Sequence, residues 1–118
     1  MSTTARARQR INIDPLRVRF LAEGHEGVGL LTDISRTGLF IRSQELARAG
    51  AVVALQFRAP TGELIDLRGE VRWSTEGETD ANGSEAGFGV LVYEAPLPYR
   101  EFFLWAQRKA DKDDAEEL

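Results

Sequence analysis

The chain has 118 residues, 42% of them hydrophobic, and a formal net charge of −4, which suits one small domain with a single modest core. With no Cys and one His, disulfides and thiolate zinc sites are excluded. The start Met1–Arg6 is polar and then basic with no apolar stretch behind it, and no run approaches the roughly 18 apolar residues of a membrane span; a cytoplasmic protein without membrane insertion is expected.

Residues 1–10 read as a flexible basic arm, carrying Arg6, Arg8 and Arg10 and almost nothing apolar between Met1 and Ile11. From there the dominant period is two, the period of strands. Leu16, Val18 and Phe20 alternate with Arg17 and Arg19, so a first strand is predicted over 16–22. The Gly-flanked stretch Glu23–Gly27 predicts a turn holding an exposed His25, followed by a strand over 27–34. Ser35-Arg36-Thr37-Gly38 separates that from a strand over 38–43. Val53, Leu55 and Phe57 alternate with Ala54, Gln56 and Arg58 and predict a strand over 51–59. Pro60-Thr61-Gly62-Glu63 is a hairpin signal. Next, Ile65, Leu67, Gly69, Val71 and Trp73 fall on one face of a strand over 64–74, with Asp66, Arg68, Glu70 and Arg72 on the other. Trp73 is thereby expected in the core or at its rim.

A polar, acidic loop over 75–86 precedes the last strand, 86–94, where Phe88, Val90 and Val92 alternate with Gly89, Leu91 and Tyr93. After Ala95-Pro96-Leu97-Pro98 the period changes. Tyr99, Phe102, Phe103 and Ala106 recur at spacings of three and four, which predicts a helix over about 98–110 packed on the sheet. Residues 111–118, with Asp111, Asp113, Asp114, Glu116 and Glu117, read as an acidic disordered tail beyond a domain spanning 11–110. Six short antiparallel strands close most naturally into a small barrel, which removes unpaired edges. The expected class is therefore all-β, a six-stranded antiparallel barrel with a C-terminal α-helix.

Two short patterns carry chemistry: R-x-x-x-R at Arg6–Arg10 and D-x-S-x-x-G at Asp33–Gly38. Each has a plain reading by itself. An Arg-rich end is often a solvated tail, and Asp-x-Ser before Gly is often a turn in which Gly takes a positive φ. Jointly they match a guanine nucleotide with accessible phosphates. The planar guanidinium grips phosphate oxygens in pairs or meets the N7/O6 edge of guanine. Asp33 accepts from guanine N1–H and N2–H, Ser35 bonds another edge or orients Asp33, and Gly38 admits close approach to a flat base. No P-loop lysine pattern is present, so nucleotide hydrolysis is not indicated. His25, Asp33 and Ser35 supply the residue types of a triad, but nothing around Ser35 resembles a nucleophile elbow, and no enzyme is expected.

The sequence resembles the PilZ family of cyclic di-GMP (c-di-GMP) receptors. The likeness rests on Arg6-x-x-x-Arg10, Asp33-x-Ser35-x-x-Gly38, Gly69-Glu70-Val71-Arg72-Trp73 and Gly87-Phe88-Gly89-Val90, in that order before a helix. It implies a PilZ-like split barrel whose arm arginines, Arg6 and Arg10, wrap onto c-di-GMP over Asp33, Ser35 and Gly38, with Arg8, Arg36 and Trp73 as further candidates. Family members with an extra Arg just before the first motif arginine are associated with an intercalated ligand dimer; here that position is Ala5. The resemblance implies a receptor or adaptor acting through a downstream protein, with no cofactor. The alternatives are a PilZ-like scaffold that binds only protein, and a barrel binding single-stranded nucleic acid. The acidic total speaks against the last.

Overall fold

The computed structural model describes residues 10–75 and 86–116. It contains β1 (Ile11–Ala22), β2 (His25–Ile34), β3 (Gly38–Arg42), β4 (Val52–Arg58), β5 (Leu64–Ser74), β6 (Gly87–Val92) and a helix α1 (Leu97–Glu116). Every strand pairing is antiparallel, and the strands close in the order β1-β2-β3-β6-β5-β4, with β4 returning to β1. The expected barrel is the observed one.

The alternation seen in the sequence fills its interior. Val18 and Phe20 on β1, Val53, Leu55 and Phe57 on β4, Ile65, Leu67 and Val71 on β5, and Phe88, Val90 and Val92 on β6 are all buried in one core. Phe20 meets Phe88 edge to face, with ring centroids 5.0 Å apart. Helix α1 adds Tyr99, Phe102, Phe103 and Ala106 to the same core. Phe102 packs edge-on against Phe57 at 5.6 Å, which seats the helix against β4. Each such aromatic contributes on the order of 1.5–3 kcal/mol by burial.

Several boundaries differ from expectation for physical reasons. The first turn is a two-residue hairpin, Glu23-Gly24, with φ of 52° and 81°. This left-handed pair matches the twist of the strands it joins, so β2 starts at His25, which pairs with Ala22 rather than lying in a loop. β1 starts at Ile11 because a bulge between Asn12 and Leu16 absorbs Pro15, which cannot donate to the ladder. Helix α1 continues through residues 111–116, expected as a separate tail, because no Gly or Pro follows Pro98 to end it.

Two further bulges matter more. In β2, Leu31 pairs with Ile41 but Asp33 pairs with Phe40. In β5, Val71 pairs with Val90 but Trp73 pairs with Gly89. In each case two residues on one strand oppose one on its neighbour, which inverts the side-chain alternation beyond that point. Asp33 and Trp73 are therefore turned to the outside of the barrel. The inward position expected for Trp73 is corrected: 46% of it is exposed.

Candidate functional site

The bulges bring four residues into one row across the outer face. Asp33 on β2 pairs with Phe40 on β3, Phe40 with Gly89 on β6, and Gly89 with Trp73 on β5. The Trp73 ring stacks on Phe40 with centroids 5.2 Å apart and an interplanar angle of 16°. Gly89 makes room for this: a Cβ there would lie 2.4 Å from the indole Nε1. The result is an aromatic shelf lying across β6 at Gly89, with Phe40 covered and Trp73 partly open.

Beside the shelf is a groove of about 550 Å³, lined among others by Arg10, Asp33, Ser35, Gly38, Arg72 and Trp73. The Arg10 guanidinium donates a 3.0 Å hydrogen bond to Asp33 Oδ2, with side-chain exposures of 54% and 21%. A pair this exposed stabilises the fold by at most about 1 kcal/mol. Its larger consequence is positional, since a cation stands at the groove's mouth beside a carboxylate.

The turn from Ser35 to Gly38 forms one wall. Ser35 N–H donates to the Gly38 carbonyl at 2.8 Å, and Gly38 N–H donates to Ser35 Oγ at 3.0 Å. These are the local bonds that favour Ser at such a turn. Gly38 does not have positive φ; it opens β3 opposite Leu91. A Cβ on it would lie 2.6 Å from the Val90 carbonyl oxygen. The close approach that requires glycine here is to the β6 backbone.

Below the turn lies Tyr99, fully buried. Its hydroxyl is 2.8 Å from the Ser35 carbonyl and 3.0 Å from the Gly38 carbonyl, and donates into the pair. Burial pushes the Tyr99 hydroxyl well above the ordinary tyrosine value, so it keeps its proton. The unfolded chain ionises this group near pH 10. Because the folded pKa is the higher one, Tyr99's contribution to stability is complete below pH 10 and falls as pH rises beyond it. In urea titrations between pH 9 and 11, replacing Tyr99 by Phe is expected to flatten the alkaline loss of stability, by at most about 1.4 kcal/mol per pH unit; an unchanged slope counts against this assignment.

Of the residues expected from sequence, Arg10, Asp33, Ser35, Gly38 and Trp73 converge on the groove. Arg36 is exposed on the turn and is not part of the lining. Arg6 and Arg8 lie outside the described residues. Phe40, Arg72 and Tyr99 are additions. The unbroken apolar run Leu39-Phe40-Ile41 was a signal, since a strand wet on one side has no use for Phe at the middle position. Helical spacing marked Tyr99 as part of the seam between helix and barrel but gave no hint of what its hydroxyl meets. His25 opens β2 and Asp33 lies eight residues along it, about 26 Å at 3.3 Å per residue, so these residues form no triad.

The fold has solved counterparts. The inhibitor of motility MotI/DgrA of Bacillus subtilis superposes with a TM-score of 0.70 at 18% identity, over 89% of this chain and 52% of that one. This chain thus spans about half the length of the Bacillus protein. The PilZ domain of YcgR from Escherichia coli, a structure containing c-di-GMP, superposes with a TM-score of 0.67 at 12% identity, over 94% of this chain and 97% of that one. At such identities the likeness shows the fold. No curated protein matches the sequence. The PilZ domain pattern itself matches residues 5–97, from the basic arm to the first residue of α1, and the chain therefore belongs to the PilZ family.

Proposed function

We propose that this PilZ domain is a c-di-GMP receptor of the cytoplasm that acts through a downstream protein rather than through catalysis. The observation that carries the reading is the meeting of two motifs far apart in sequence: Arg10 of R-x-x-x-R bonds Asp33 of D-x-S-x-x-G at 3.0 Å, at the mouth of a groove walled on one side by the Ser35–Gly38 turn and flanked by Trp73. In this reading Arg10, with Arg6 and Arg8 from the arm, takes the phosphates. Asp33 keeps one carboxylate oxygen free of Arg10 and accepts from the guanine donor edge. Trp73 offers a face for stacking, worth roughly 1–3 kcal/mol per base. The YcgR domain solved with c-di-GMP supports the choice of ligand.

Ordering of residues 1–10 onto the barrel is the proposed switch. Fixing each arm residue costs roughly 1–2 kcal/mol, so the Arg contacts are partly offset. The net affinity is expected near the micromolar range, on the order of −8 kcal/mol. Calorimetric titration tests the ligand: c-di-GMP binds, and cyclic di-AMP, whose adenine lacks the paired donors that Asp33 accepts, binds far more weakly. Amide relaxation of residues 3–10 tests the switch: motion is lost on saturation. Equal affinity for the two dinucleotides removes Asp33 as the selectivity residue. No binding of either leaves the protein-only scaffold.

A further inference from the structure

The Ser35–Gly38 turn faces two ways. Ser35 and Gly38 line the groove, while the carbonyls of the same two residues meet the Tyr99 hydroxyl in the interior, at 2.8 and 3.0 Å. A second bond ties the turn to the same neighbour segment: Val92 N–H donates to the Thr37 carbonyl at 2.8 Å. Both tethers thus end on residues 92–99, the stretch that leaves β6 and launches α1. Within that stretch Glu94 has φ 41°, a left-handed conformation that a non-glycine residue holds only under constraint. Pro96 follows, and its carbonyl accepts from the N–H groups of both Tyr99 and Arg100 at 3.0 Å.

The geometry points to Tyr99 as a positioning residue that holds the Ser35–Gly38 turn in its ligand-ready shape and carries occupancy of the groove into helix α1. This deepens the c-di-GMP reading and rests on it. A buried hydroxyl is not left without an acceptor when the turn shifts, because the unpaired donor has no water to turn to. Tyr99 therefore follows the two carbonyls. Its ring is rigid and packs edge-on against Phe102, centroids 6.4 Å apart, which in turn contacts Phe57 and stacks near Trp105. Displacement of the turn is passed to the first turns of α1 instead of being absorbed by a flexible side chain. Glu94, already in a strained conformation between β6 and α1, is the natural pivot.

Tyr99→Phe tests this, since it keeps the ring and removes only the hydroxyl. Hydrogen exchange without ligand comes first: the Gly38 and Val92 amides are expected to exchange about tenfold faster than in the unaltered protein, with the Val53 and Leu67 amides unchanged. Equal rates at Gly38 overturn the positioning role, whatever the ligand. Exchange with c-di-GMP comes second: the unaltered protein is expected to gain protection along residues 99–106, and the variant to lose that gain while still binding at higher ligand concentration. A variant whose α1 responds like the unaltered protein overturns the coupling. So does an unaltered protein that binds c-di-GMP with no response in α1. If the unaltered protein binds no c-di-GMP, the ligand reading and the coupling both fall, and the ligand-free comparison alone decides whether Tyr99 holds the turn.

Discussion

Replacing Arg10 with alanine is expected to weaken c-di-GMP binding by at least about tenfold, with the barrel intact. Charge-assisted hydrogen bonds contribute roughly 1.5–3 kcal/mol each, and about 1.4 kcal/mol is a factor of ten. Against this stands the ligand-free ion pair of Arg10 with Asp33. Its loss frees a carboxylate that Arg10 otherwise occupies, but an exposed pair is worth at most about 1 kcal/mol. The phosphate contact therefore dominates. Because Arg10 is more than half exposed and its pair with Asp33 is worth at most about 1 kcal/mol, the variant's unfolding free energy is expected to stay within about 1 kcal/mol of the unaltered protein. Lysine at this position should restore only part of the affinity, since an ammonium offers a point charge where the guanidinium offers a fork. Calorimetry on the three proteins at one salt concentration reads all of this. An unchanged dissociation constant for the alanine variant removes Arg10 from the site.

The barrel was legible because its strands announce themselves locally. Alternation in 64–71, together with the Pro60–Glu63 turn, needs no knowledge of what lies across the sheet, and the observed β5 runs from Leu64 to Ser74 as expected. Trp73 was misplaced for a definite reason. Period-two reasoning carries the inward face from Val71 straight to Trp73, whereas the bulge between them reverses it. A bulge has no periodicity of its own; it is set by how β5 meets Gly89 on a strand more than a dozen residues away. The same holds for Asp33, whose outward aim depends on the mismatch with Phe40 and Ile41. Residues whose chemistry is intrinsic, such as Arg10 and Asp33, could be named from type and spacing. The apolar run around Phe40 and the helical spacing of Tyr99 mark both as packed but not what they do, because each acts through partners supplied by the fold: Phe40 through the ring lying on it, and Tyr99 through two carbonyls more than sixty residues earlier.

Gly38 gives the second large expected effect, and its cause differs from the one its motif suggests. In a ligand-centred view the glycine is there to let a base approach. In the structure the missing Cβ points at the Val90 carbonyl, 2.6 Å away, and that oxygen belongs to a buried strand that cannot retreat without disturbing Phe88 and the core. Gly38→Ala must therefore push β3 from β6 where Gly38 pairs with Leu91. The expected cost is on the order of 1–3 kcal/mol, a fall in melting temperature of roughly 4–8 °C per kcal/mol for a domain of this size. Affinity for c-di-GMP should fall with it, because the displaced residue also carries the N–H that bonds Ser35 Oγ and a carbonyl that receives the Tyr99 hydroxyl. The order of the two effects separates the explanations. Loss of stability without ligand, seen by urea denaturation, means that packing of β3 on β6 demands the glycine and that the site inherits it. A variant as stable as the unaltered protein, weakened only toward c-di-GMP, would mean that the ligand demands it and that the contact with Val90 relaxes freely.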